Sequence, residues 1–253
     1  MGYTNSSLVD VIQISPNQSG ARTHKIDTVT IHCTAGQTTA RALGQWFADA
    51  NRKASSNYGI GYDGSIGLYV EEKDRSWCSS SSANDNRAIT IEVSSDNYHP
   101  YKITNAAYKA LVDLLVDICQ RNDIEKLLWQ GDKSLIGQVD KQNMTVHRWF
   151  ANKPCPGDYL YNLHPQIAAE VNARLEDEEV NIDKFIEEAS DEQLIGLFNK
   201  MNAALAKREL PTNWNARGEL DEAVAMGITD GSRPMAVSMR YEDAIMIKRA
   251  AKK

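Results

Sequence analysis

The chain has 253 residues, 42% hydrophobic and 25% charged, a globular composition with room for one ordinary domain and a smaller second one. No apolar run approaches the roughly 20 residues that span a bilayer, and the start MGYTNSSLVDVIQISPNQSG lacks the basic and apolar regions of a secretory signal. The net charge of −6 divides as 17 basic against 18 acidic side chains in residues 1–175 and 11 against 16 beyond, so no basic surface for nucleic acid is expected.

In chain order, TVTIHCT (28–34) is a β-branched run with the pattern of a buried strand, and His32 lies near its end. A helix over 38–50 follows, with Leu43, Trp46 and Phe47 on one face and Thr38 or Thr39 as N-cap. Runs 58–62 and 66–70, joined by Asp63-Gly64-Ser65, read as a hairpin. AITIEVS (88–94) is a further strand, with Glu92 inside it. The spacing of Tyr108, Leu111, Val112, Leu115, Val116 and Cys119 predicts a helix over 105–121, with Cys119 as core packing. Residues 126–144 read as loop and short elements, and a helix over 165–175 closes the first domain.

Alternating strands and helices give an α/β domain with one central sheet, and the hairpin makes that sheet mixed. The expected organisation is a domain over 1–175, an acidic linker over 176–181 built on Glu176-Asp177-Glu178-Glu179, and a small helical domain over 182–253. In that last part the helical pattern of 182–206 is broken at Pro211, and Trp214 begins a second unit.

The stretch TVHRWFANKPCPG (145–157) holds His147, Lys153 and Cys155 within nine residues. A buried helix or strand has no use for that mixture, whereas a loop with a metal ligand at each end does. A catalytic zinc site takes three protein ligands and leaves the fourth position for water. His32, His147 and Cys155 supply such a set. His24, His99 and His164 are read as ordinary core or surface histidines, and four cysteines are too few for a disulfide scaffold.

TVTIHCT, SNYGIGYDGSIGLYVEE, AITIEVSS and VHRWFANKPCPG, in that order over about residues 25–175, resemble the zinc-dependent N-acetylmuramoyl-L-alanine amidases of type 2. That superfamily includes phage lysozyme-amidases and peptidoglycan recognition proteins. The resemblance puts His32, His147 and Cys155 on the Zn2+ ligands, Lys153 on the lysine of phage-type and cytosolic members, Tyr58 on the hairpin tyrosine and Glu92 on the strand glutamate. It implies hydrolysis of the amide between N-acetylmuramic acid and L-alanine in peptidoglycan. Glu92 is then the expected proton acceptor and donor, Tyr58 a hydrogen-bond donor to the water or the carbonyl, and Lys153 the stabiliser of the oxyanion.

The chain departs from the family at Gly59, where many relatives carry histidine, and in the serine-rich segment 77–86. Trp77 in that segment either lines a groove or packs, and Cys33 and Cys78 are open between metal tuning, redox sensitivity and inertness. Segment 223–250 has some likeness to a single S-layer homology unit, which implies a C-terminal module that binds a cell-wall component; a helical appendage for homodimerisation or stability is the alternative. The expected protein is a phage endolysin or prophage autolysin. It would accumulate in the host cytoplasm and reach the wall through holes made by a holin-type partner. Two other classes stand beside it: a non-catalytic peptidoglycan-binding recognition protein, which typically lacks the cysteine ligand, and a cysteine peptidase using Cys155 or Cys33.

Overall fold

The two six-residue β-branched runs of the sequence lie side by side. In chain order the strands are β1 (Val11–Ile12), β2 (Gln18–Ala21), β3 (Thr28–Cys33), β4 (Tyr58–Ile60), β5 (Ile66–Leu68), β6 (Asp74–Ser76), β7 (Ala88–Val93) and β8 (Met144–Thr145). The helices are α1 (Ala40–Ala48), α2 (Ser82–Asp85), α3 (Asn105–Arg121), α4 (Gly157–Glu178) and α5 (Asp191–Ala206). This computed structural model describes residues 3–178, 189–206, 221, 222 and 224–226. The chain divides into two compact units, 1–179 and 180–253, and α5 belongs to the second.

The main sheet has six strands in the order β1-β5-β4-β7-β3-β8, and β2 pairs with β6 in a separate ribbon. Within the main sheet only the β4–β5 hairpin is antiparallel, so the sheet is mixed, flanked by helices, and the fold class is α/β. Strands β1, β2 and β6, with two to four residues each, are too short to leave a readable period in the sequence.

Register divides the chemistry of the sheet. Thr30 pairs with Thr90 and Thr145, His32 with Glu92, and Glu92 with Gly59. Because successive side chains alternate faces, those residues share one face. The other face carries Val29, Ile31, Ile89, Ile91, Val93, Tyr58 and Ile60, and α3 and α4 pack on it through Leu111, Leu114, Leu115, Leu160, Ile167 and Val171. Fully buried leucines and isoleucines of this kind contribute about 1.5–3 kcal/mol each.

The polar face is covered partly by α1, whose Leu43 and Phe47 pack with Tyr69. The approach is close: a Cβ on Gly59 would lie 2.6 Å from Leu43 and 2.5 Å from the Tyr69 ring. Thr39 caps α1 by accepting from Ala42 N–H, and Thr104 caps α3 in the same way through Ala107. Cys119 is buried in the core.

Helix α4 differs from expectation. It starts at Gly157 rather than Pro165 and runs through Glu178, so the first three residues of the acidic run are helical. Proline favours the first helical turn, which is why the sequence points to Pro165 as the start; here it sits in the interior, where its ring forfeits a backbone hydrogen bond. Gly157 has φ +79, and a Cβ there would meet Tyr101 Cβ at 2.8 Å. Glu176 on this helix forms an ion pair with Lys126 at 3.0 Å. The expected elements over 182–188, 207–220 and 227–253 lie outside the described residues, as does nearly all of the segment resembling an S-layer homology unit. Among the described residues no helix is long and apolar enough to cross a membrane.

Candidate metal centre

Parallel pairing puts the C-terminal ends of β3 and β7 side by side, so His32 and Glu92 emerge together on the polar face. His32 is fully buried; its Nδ1 lies 3.9 Å from Glu92 Oε1 and 3.4 Å from Cys155 Sγ. Strand β8, on the other side of β3, delivers His147 at the start of a short 3-10 turn, His147–Trp149. The His32 and His147 rings meet edge to face with centroids 5.1 Å apart.

The loop after His147 is braced rather than loose. Arg148 N–H donates to Cys155 O at 3.1 Å, and its guanidinium donates to Pro154 O at 2.7 Å and to Asp158 Oδ1 at 3.0 and 3.1 Å. Trp149 stacks on Trp129 at 5.1 Å, which anchors the turn from below. These contacts hold Cys155 opposite the two histidines, and one donor atom from each of the three lies within 4.8 Å of the others. His32, Cys78 and Glu92 form a second such group that shares His32.

The donor set fits a zinc ion. Burial, followed by the charge of His147, pushes His32 down to about 3, so the ring is neutral and offers a lone pair. His147 is lowered by burial and then by Lys153. His32 Nε2 is buried and meets no partner among the described residues. The Cys155 thiol is raised, first by its hydrogen bond with Cys33 and then by burial. Two neutral imidazoles and a thiol match the nitrogen and sulfur preference of zinc.

Glu92 is largely buried, its side chain 17% exposed. Its Oε2 has no partner among the described residues, and Oε1 accepts from Cys78 Sγ at 3.9 Å. Burial, and then the negative charge of Cys33, hold its carboxyl well above the usual carboxylate range. Lys153 is exposed on the loop between His147 and Cys155, near enough for its charge to act on His147.

Tyr58 is not in this group. It pairs with Ile91, one residue before Glu92, so alternation turns it to the apolar face. There it is fully buried, donates to Glu72 Oε1 at 2.6 Å and accepts from Ser6 N–H at 2.8 Å. The expected role at the water or the carbonyl is therefore corrected to a structural one. On the site face that register position is Gly59. Trp77 is half-buried, and its indole N–H donates to Ser19 Oγ in β2.

His24 and His99 are surface groups, the latter against Asp158 at 2.9 Å. His164 is buried, with Nδ1–H donating to Leu160 O at 2.7 Å. The sequence reading misses Ser80, Asn84 and Asp85. Ser80 Oγ is 2.9 Å from His147 Nε2, and Asn84 bridges Thr30 and Thr145 at 2.9 and 3.0 Å. Their one signal is a run of Ser, Asn and Asp, the residues of turns and caps.

No curated protein matches the chain. Among solved structures it is similar to a mutant endolysin from Bacillus subtilis, at 16% identity over 64% of this chain and 99% of that one, with a TM-score of 0.48. It is also similar to the N-acetylmuramoyl-L-alanine amidase LysC from Clostridium intestinale URNW (16% identity, 64% and 97% covered, TM-score 0.45). Drosophila peptidoglycan recognition protein SA shows 18% identity, 60% and 88% covered, and a TM-score of 0.45. The family model described as N-acetylmuramoyl-L-alanine amidase, Amidase_2, matches residues 22–158, more than half of the chain, and the protein belongs to that family.

Proposed function

We propose that this amidase is a zinc enzyme that hydrolyses the amide between the lactyl group of N-acetylmuramic acid and L-alanine in peptidoglycan. The observation that carries this reading is the convergence of His32, His147 and Cys155, with donor atoms within 4.8 Å, beside a buried carboxyl group with an oxygen unpartnered among the described residues. What zinc supplies when bound is Lewis acidity, which polarises a carbonyl and acidifies water. Glu92 Oε2 accepts the proton of the attacking water and returns it to the leaving amine. A raised carboxyl pKa suits a group that must do both. Lys153 offsets negative charge developing on the carbonyl oxygen. The Arg148–Asp158–Pro154 brace holds the loop that carries Lys153 and Cys155.

The setting is a phage endolysin or prophage autolysin that reaches the wall through holes made by a holin-type partner. Residues 182–253 form its wall-binding module. The deciding experiment is digestion of purified bacterial walls, scoring new N-terminal alanine, with a zinc chelator and with zinc restored. Alanine release that stops with the chelator and returns with zinc is the expected result. New sugar reducing ends with the lactyl amide intact would refute it.

Zinc uptake also has an expected proton count. The lowered pKa values of His32 and His147 leave both rings neutral at pH 7, whereas the raised Cys155 keeps its proton until the ion arrives. Binding at pH 7 is expected to release about one proton, and affinity to fall roughly tenfold per pH unit as pH is lowered. Titration calorimetry in buffers of different ionisation enthalpy reads the count; release of no proton would mean that Cys155 is not a ligand.

A further inference from the structure

The segment between β6 and α2 is built to aim one hydroxyl. Asp85, only 3% exposed, turns its carboxylate back on that segment: Oδ2 accepts from Cys78 N–H at 3.0 Å, and Ser79 N–H reaches Oδ1 and Oδ2 at 3.1 and 3.2 Å. The chain then passes through Ser80 at φ +63, a conformation that a non-glycine residue adopts when its surroundings enforce it. Ser81 caps α2 by accepting from Asn84 N–H at 3.3 Å. Asn84 in turn joins Thr30 and Thr145, which lie two residues before His32 and His147 on their own strands. The result is Ser80 Oγ at 2.9 Å from His147 Nε2.

We propose that Ser80 is a positioning residue of the metal centre, with Asp85 as the group that sets its backbone. A histidine that ligates a metal through one nitrogen is oriented by the hydrogen bond that the other nitrogen makes, and that partner also selects the tautomer. With Ser80 Oγ accepting from Nε2–H, the lone pair of His147 lies on Nδ1, the nitrogen left for the ion. His32 is fully buried on its strand. His147 sits on a short turn and needs such a partner. The enforced φ of Ser80 then has a purpose: a relaxed turn would carry the hydroxyl elsewhere. This inference rests on the zinc reading above.

The test is Ser80→Gly. Glycine suits a positive φ, so the variant folds while the hydroxyl is removed. Zinc affinity is measured by competition with a chromophoric chelator, and the His147 tautomer by 15N histidine NMR of the zinc-loaded chain. The dissociation constant is expected to rise roughly 10- to 100-fold, with the preference of His147 for the Nε2–H tautomer weakened and the stability of the metal-free chain equal or higher. Asp85→Asn, which gives up one of the acceptors, is expected to weaken zinc binding in the same direction. A wild-type chain that binds one zinc beside a Ser80→Gly variant of equal affinity would overturn the role of Ser80 alone. Nδ1–H as the tautomer of His147 in the loaded wild type would do the same. A wild type that takes up no zinc would overturn the metal reading, and this inference with it.

Discussion

Replacing Glu92 with glutamine is expected to lower kcat for amide cleavage by about 10²–10⁴-fold, the range for loss of a positioned acid–base group, with one zinc per chain still bound. The substitution keeps the shape of the side chain and removes only its ability to take and return a proton. Glu92 stands on the same face as His32, 3.9 Å from its Nδ1, with one carboxylate oxygen unpartnered among the described residues. Tyr58→Phe is the paired control. Its hydroxyl points to the other side of the sheet, so kcat is expected to be unchanged, while loss of the hydrogen bond to Glu72 costs about 1–3 kcal/mol of stability. Steady-state kinetics on muropeptide fragments together with metal analysis decide the matter. If Glu92→Gln stays within tenfold of wild type, proton transfer lies with another group; if Tyr58→Phe carries the loss instead, the division of the sheet into a chemical and a structural face is wrong.

The parts of this fold that are legible in the sequence are those whose pattern is local. Thr28–Cys33, Ala88–Val93 and the 17 residues of α3 announce themselves through β-branching or helical spacing, and Asp63-Gly64 marks its hairpin. His147, Lys153 and Cys155 stand out because a buried element has no use for that mixture, and His32 because it lies near the end of a β-branched strand. Register is not local. His32 faces Glu92 across 60 residues of chain, and nothing in either strand alone says which face a neighbour will share. Tyr58 shows the consequence: an aromatic residue next to a glycine in a short strand looks equally suited to either face, and a shift of one residue reverses the answer. The start of α4 is hidden by Pro165, whose usual place in a first turn gives way here to tertiary packing. The Asp85 loop is hidden because each of its residues is an ordinary turn former, and only the folded chain brings Ser80 to His147.

Glu72→Ala is expected to destabilise the first unit by about 3 kcal/mol, the lower end of the cost of removing one partner from a buried ion pair. The carboxylate is fully buried. Oε1 accepts from Tyr58 OH at 2.6 Å and from Arg121 Nη2 at 2.7 Å, and Oε2 accepts from Asn122 Nδ2 at 3.1 Å. Its backbone is also tied, with N–H donating to Asn5 Oδ1 and C=O accepting from Arg22 Nε. One residue thus links the N-terminal segment, the hairpin strand β4 and the end of α3. Truncation leaves the Tyr58 hydroxyl buried without its acceptor, a cost of about 1–3 kcal/mol by itself. It spares Arg121 the worst outcome, because Asp117 still pairs with that guanidinium at 2.7 Å and 18% of its side chain reaches solvent. Those two facts keep the expected loss near the bottom of the range. Glu72→Gln, which retains the shape and most of the hydrogen bonds, is expected to lose less than Glu72→Ala. Urea denaturation of the metal-free chain reads both, and zinc affinity is expected to stay within a few-fold of wild type because Glu72 belongs to the Tyr58 side of the sheet. A loss below about 1 kcal/mol for Glu72→Ala would show that the N-terminal segment and α3 are held by other contacts. A large fall in zinc affinity would show that the two faces are coupled, and the site could no longer be treated as chemistry mounted on an independent scaffold.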